Sequence, residues 1–221
     1  MSLTAAHGTE TIKIRARLPM RQIIASSVAA VSTTLAALVI FGWWQGIDVI
    51  TRMCMGCVTM KLSTAISLFF QGLTTMAIIA LWRTDRGKGI VLALGIGTVW
   101  SIYMGMLGSL PTPGDDGVHS IAPGIPSVGT ALLLTCLAGI DFLFVSGRSW
   151  IRWSNVLSWI CALISLVALI GYWLGIPLLY WEIEGFSGAM AVHTSIVLAL
   201  LSSAHLIAHG GLKKHHRAYM E

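Results

Sequence analysis

Charge is what this sequence has least of. Only 10% of its 221 residues are Asp, Glu, Lys or Arg, against roughly 25% in a soluble domain. A soluble fold of this size would need a polar coat that the chain cannot supply. Disorder is excluded as well, because 56% of the residues are hydrophobic and the mean hydropathy is +0.80. Acid is scarcest inside the apolar runs, where Asp141 stands alone among the nine Asp and Glu. Catalytic signatures are missing too: no nucleophile–base motif, no Gly-rich phosphate loop, no paired catalytic carboxylates and no HExxH. The CxxC at Cys54–Cys57 is followed by Val58, not the His that c-type haem attachment requires. Neither enzymatic activity nor a cofactor is expected. A net charge of +5 could suggest nucleic acid, but no basic–aromatic patch is present, so nucleic acid is not an expected partner.

What is there is apolar length. A helix needs about 20 mainly apolar residues to cross a bilayer. Six stretches qualify, near 22–45, 60–82, 87–110, 127–147, 154–176 and 188–209. The first 21 residues are polar and basic, without the cleavage site of a signal peptide, so the first apolar run reads as an uncleaved span. The expected organisation is a cytoplasmic tail (1–21), a six-span membrane domain (22–209) and a second cytoplasmic tail (210–221). Cys136 and Cys161 lie within spans and read as packing residues.

Basic residues set the expected orientation. The N-terminal tail, the connections after the second and fourth spans, and the C-terminal tail hold 12 of the 14 Lys and Arg. Arg52 and Lys61 are on the other side, with Asp48, Asp115, Asp116, Glu182 and Glu184. The positive-inside rule then puts both termini in the cytoplasm. Trp43, Trp44, Tyr180 and Trp181 fall at the outer ends of spans, as an aromatic belt would.

The chain also repeats itself. MKLSTAISLFFQG (60–72), PSVGTALLLTCLAG (126–139) and MAVHTSIVLALLSS (190–203) each centre on Thr followed by a small residue and open an even-numbered span. The unit is therefore a two-span hairpin of about 65 residues, near 22–82, 87–147 and 154–209. Three such units in one orientation predict an all-α membrane fold of three parallel repeats. Thr64, Thr130 and Thr194 would let helices approach closely and hydrogen-bond across. Eleven residues further on, the repeat aligns Thr75, Asp141 and His205. An ionisable residue within a span is costly and points to function. An Asp141–His205 contact with Thr75 beside it would respond to protons, since His titrates near neutral pH. The bland alternative pairs Asp141 with Arg148 or Arg152 as an anchor.

Two places gather residue types that ligate metals. His205 and His209 share a helix face but lack a third ligand for zinc. Met53, Cys54, Met55 and Cys57 cluster soft sulfur donors suited to Cu(I). On the oxidising side the two cysteines could instead form a disulfide.

GIDVITRMCMGCVTMKLSTAISLFFQG (46–72) and LIGYWLGIPLLYWEIEGFSGAMAVHTSIVLALL (169–201) resemble the membrane-embedded N-terminal sensor module of bacterial PAS-domain histidine kinases and diguanylate cyclases. Gly171, Tyr172, Gly175, Pro177, Tyr180, Met190, His193 and Thr194 carry the likeness in the last hairpin. Leu62-Ser63 and Ser195 depart from the family pattern. The resemblance implies a bacterial inner-membrane sensory module without its own output domain. It would signal to a partner protein through its cytoplasmic ends, and its ligand-binding candidates are His193, Thr194 and Tyr172. Oligomers are possible. The alternatives are an accessory subunit of a respiratory or photosynthetic complex, or a small transporter or copper handler.

Overall fold

A computed structural model describes residues 20–52, 57–81, 85–107, 126–146, 151–180 and 189–217. Among these the chain is helical, without strands. The helices are α1 (Met20–Gln45), a short α2 (Asp48–Arg52), α3 (Leu62–Leu81), α4 (Asp85–Leu107), α5 (Val128–Ser146), α6 (Ile151–Leu174) and α7 (Val192–Arg217). A 3-10 turn at Pro177–Tyr180 lies between α6 and α7. A helix occupies each of the six apolar stretches. Three are long and apolar enough to cross a membrane: Met20–Gln45, Leu62–Leu81 and Arg152–Leu174. The apolar parts of the others are shorter: Gly87–Tyr103, Val128–Phe144 and Val192–Ala208. One boundary differs clearly from expectation. The last helix continues to Arg217, into the stretch read as a tail, because nothing in HGGLKKHH forces a stop once the apolar turns of Val192–Ala208 have nucleated it.

Three helices form an inner triangle and three surround it. α3, α5 and α7 touch one another. Each outer helix packs against the inner helix that follows it and the inner helix of the preceding hairpin. Thus α1 meets α3 and α7, α4 meets α5 and α3, and α6 meets α7 and α5. Burial agrees: 61% of the apolar window of α3 is covered by protein, against 33% for α1 and 28% for α6.

The inner helices bury one stripe each, at the same spacing. It runs Thr64, Leu68, Gln71, Thr75, Ile78 on α3, then Thr130, Leu134, Leu137, Asp141, Phe144 on α5, then Thr194, Leu198, Leu201, His205, Ala208 on α7. Alternating steps of four and three keep a stripe facing one seam, as in coiled coils. Two of the outer helices bury small residues at that same spacing: Ala25, Ala29, Ser32, Ala36 on α1 and Ser154, Ser158, Cys161, Ser165 on α6. Small side chains bring backbones together, which is how helices associate where lipid offers no hydrophobic drive. Their hydroxyls are satisfied locally. Ser32, Ser158 and Ser165 each donate to the carbonyl four residues back at 2.8–2.9 Å. At Gly72 α3 comes close to α1, since a Cβ there would overlap the Thr33 hydroxyl.

The outer turns after α1 and α6 are built alike. Gly46 and Gly175 both have φ of 67°, the left-handed value glycine adopts freely. Ile47 N–H then bonds Gly42 O at 2.8 Å, and Ile176 N–H bonds Gly171 O at 2.9 Å, a Schellman closure in both. Met60 N–H reaches Thr51 O, and Met190 N–H reaches Tyr180 O. Finally, Trp43 Nε1–H donates to Met60 O at 2.8 Å, and Tyr172 Oη–H donates to Met190 O at 2.5 Å. Trp43 thus pins the turn. Trp44, 81% exposed, suits the belt, and Trp181 lies outside the described residues.

Candidate functional site

The inner stripes bring four polar side chains together. Gln71 Nε2–H donates to Asp141 Oδ2 at 2.5 Å. Asp141 Oδ1 lies 3.3 Å from His205 Nε2. His205 Nε2 is 3.2 Å from Thr75 Oγ1. All four residues are at most 1% exposed. The Thr75 hydroxyl already donates to Gln71 O at 2.9 Å, so towards His205 it can only accept, and that assigns a proton to Nε2. This N–H is directed at Thr75 Oγ1, with Asp141 Oδ1 beside it. The Asp141 contact is longer than the roughly 2.7–2.9 Å of a charge-assisted bond, and Oδ1 makes no hydrogen bond. Gln71 Oε1 is also unpaired.

Asp141 and His205 therefore stand side by side, with Thr75 beside His205. The anchor arrangement is not adopted towards Arg152, which is exposed on α6, and Arg148 lies outside the described residues. Gln71 escaped sequence reasoning. It is four residues before Thr75, so the two share a face, and it is a polar side chain in an apolar run; both signals were readable. What hid it is the repeat itself, because the matching positions are Leu137 and Leu201.

The outer candidates do other work. Tyr172 pins Met190 O and stacks on Tyr180 with ring centroids 4.1 Å apart and planes 12° apart. The His193 ring hydrogen-bonds the backbone of Ile50, which ties the third hairpin to the turn of the first. Its Nδ1 is buried without a partner. Thr64, Thr130 and Thr194 are all buried, at 3%, 2% and 1%. Thr130 pairs with Ser127 Oγ at 2.7 Å within its own helix start rather than across helices. Ser127 also accepts Thr130 N–H, which caps α5.

Of the sulfur cluster, Cys57 is disulfide-bonded. A disulfide sulfur is not a thiolate, so in this state Cys57 is no copper ligand. Met53, Cys54 and Met55 lie outside the described residues, as does the side chain of His209. No group of three or more His, Cys, Asp or Glu suited to a metal occurs among the described residues. Cys136 and Cys161 are free thiols hydrogen-bonded to each other between α5 and α6.

Comparison with protein-family models, curated proteins and solved structures gives no match. The likeness to the sensor module rests on its motif residues.

Proposed function

We propose that this protein is a membrane-embedded sensory module of a bacterial inner membrane. In this reading all six long helices cross the bilayer as three parallel hairpins, with both termini in the cytoplasm. The distribution of 12 of the 14 basic residues supports the orientation. The cyclic packing and the shared stripes support the threefold plan.

One observation carries the sensory role. Gln71, Asp141, Thr75 and His205 join the three inner helices through a small buried network with two unpaired acceptors. A proton or a ligand arriving there changes what all three helices can bond to at once. Packed helices respond by discrete shifts rather than by deforming, and a shift of α3, α5 and α7 moves their cytoplasmic ends. The module binds and transmits; it performs no reaction of its own.

The test is purification of the tagged chain from its native membrane in mild detergent. We expect a signalling kinase or cyclase in fixed ratio, with its activity altered by Asp141→Asn. Recovery instead as a constant subunit of a respiratory or photosynthetic complex, with Asp141→Asn silent, would make the network a structural device and overturn the sensory reading.

A further inference from the structure

Gln71 and Asp141 meet across the α3–α5 contact with one hydrogen bond made and two oxygens left over. Gln71 Nε2–H donates to Asp141 Oδ2. Gln71 Oε1 and Asp141 Oδ1 are buried without a partner. A primary amide and a carboxylic acid have complementary edges. The amide N–H donates to the acid carbonyl, and the acid O–H donates to the amide carbonyl, as two parallel bonds. The bond in place is one half of such a pair. The atoms of the other half are the two left over, both acceptors, with no hydrogen to share.

An ionised Asp141 fits its surroundings poorly. A carboxylate offers about four acceptor sites, and this one receives a hydrogen bond from Gln71 alone, because His205 Nε2–H is directed at Thr75. Burying a charge is costly unless it is both paired and hydrogen-bonded. Little around it supplies the pairing. α5 packs against α3, α4, α6 and α7. α3 has no titratable side chain between Leu62 and Leu81. α7 presents His205. Tyr103 of α4 lines the same cleft as Asp141. Cys161 of α6 is engaged with Cys136. Lys88 on α4 and Arg152 on α6 are exposed. Among the described residues, His205 is the basic side chain within ion-pair distance. Its Nε2 already carries a hydrogen, so an Asp141 O–H finds no acceptor there. Gln71 Oε1 is the acceptor still open beside it.

We propose that Asp141 carries a proton on Oδ1 at neutral pH and donates it in a hydrogen bond to Gln71 Oε1, closing the acid–amide pair. One proton then satisfies both leftover acceptors and removes the buried charge. This names the proton as the ligand of the network and rests on the sensory reading for its consequence, though not for its measurement. When the carboxylic acid gives its proton to water, two unpaired oxygens on α3 and α5 oppose each other, and the contact between those helices weakens. Water is within reach from the end of α5, since the exposed Ser146 lies five residues on, about 7.5 Å along the axis.

The experiment is infrared spectroscopy of the purified full chain in an alkyl maltoside, a detergent without ester or carboxyl groups. The carbonyl stretch of a protonated acid then stands clear of the amide bands. Carboxylic acids in water are ionised at neutral pH and do not contribute to it. We expect this band in the wild type at neutral pH. It should be lost in Asp141→Asn, which mimics the protonated acid permanently and should keep a melting midpoint close to the wild type's. In Gln71→Leu it should move to higher frequency, as the acid carbonyl loses its N–H donor. No band in the wild type, a band that survives in Asp141→Asn, or one that does not move in Gln71→Leu overturns the proposal. The wild-type result needs no variant to fold. These failures would remove the proton alone, because the sensory reading is judged separately on the copurified partner.

Discussion

Lys61 precedes α3 at the end taken as outer, and burial lowers its pKa below the ordinary lysine value of 10.5. Desolvation penalises its charged form, so below the lowered value the folded protein bears the full cost. As pH rises through that value towards 10.5 the amine is neutral in the fold and the cost disappears. Lys61→Met should therefore raise the melting midpoint at neutral pH, and the difference from the wild type should close as pH approaches 10.5. An unchanged midpoint at pH 7 would contradict this. Among the residues of the buried network, three were legible because the repeat aligns Thr75, Asp141 and His205 eleven residues after each central Thr. Gln71 was not, because its counterparts are leucines and it serves no repeated role. Its part arises only where α3 meets α5. Nor does spacing reveal that the Thr130 hydroxyl turns to Ser127, since a local cap and a contact across helices require the same residue type.

At the scale of the element, the paired outer turns give the cleanest test. Tyr172→Phe removes one hydrogen bond to a methionine carbonyl and keeps the ring, whereas Trp43→Phe removes the matching bond and shrinks the indole to a phenyl. Tyr172→Phe should cost about 0.5–1.5 kcal/mol in reversible unfolding and Trp43→Phe at least as much; a loss at one alone contradicts equivalent turns. At Gly72 the α1–α3 interface has no room for Cβ, so Gly72→Val should cost more than either, about 2 kcal/mol or more as backbones are forced apart. The helices themselves were readable, since apolar length needs no partner to be seen. The Gly-Trp-Trp-Gln-Gly-Ile and Gly-Tyr-Trp-Leu-Gly-Ile phrases at 42–47 and 171–176 were also in plain view. Their meaning was hidden because Trp and Tyr look like belt residues until their N–H and O–H are seen to reach the same carbonyl. The continuation of α7 to Arg217 was not readable from hydropathy, which falls at His209 while the backbone stays helical.

On the scale of the whole molecule, the account depends on three inner helices acting together. The helical, apolar character of the chain was legible from hydropathy alone, whereas the cyclic contact pattern among the helices is what the structure adds. A difference between repeats was less legible: Val91 and Ile102 stand where the other hairpins place Ala or Ser. Coupling of the inner helices through Asp141 is the central claim. The most direct measurement places spin labels at Leu81 and Ser146, the exposed last residues of α3 and α5. Their separation is then compared by double electron–electron resonance between the otherwise wild-type chain and Asp141→Leu, in nanodiscs. The account predicts that removing the bond to Gln71 and the polar contact with His205 shifts or broadens the distance distribution by about 1–2 Å, the scale of helix shifts in switching proteins. A distribution unchanged in a folded Asp141→Leu protein would contradict it, leaving Asp141 a packing residue with no hold on the helix ends.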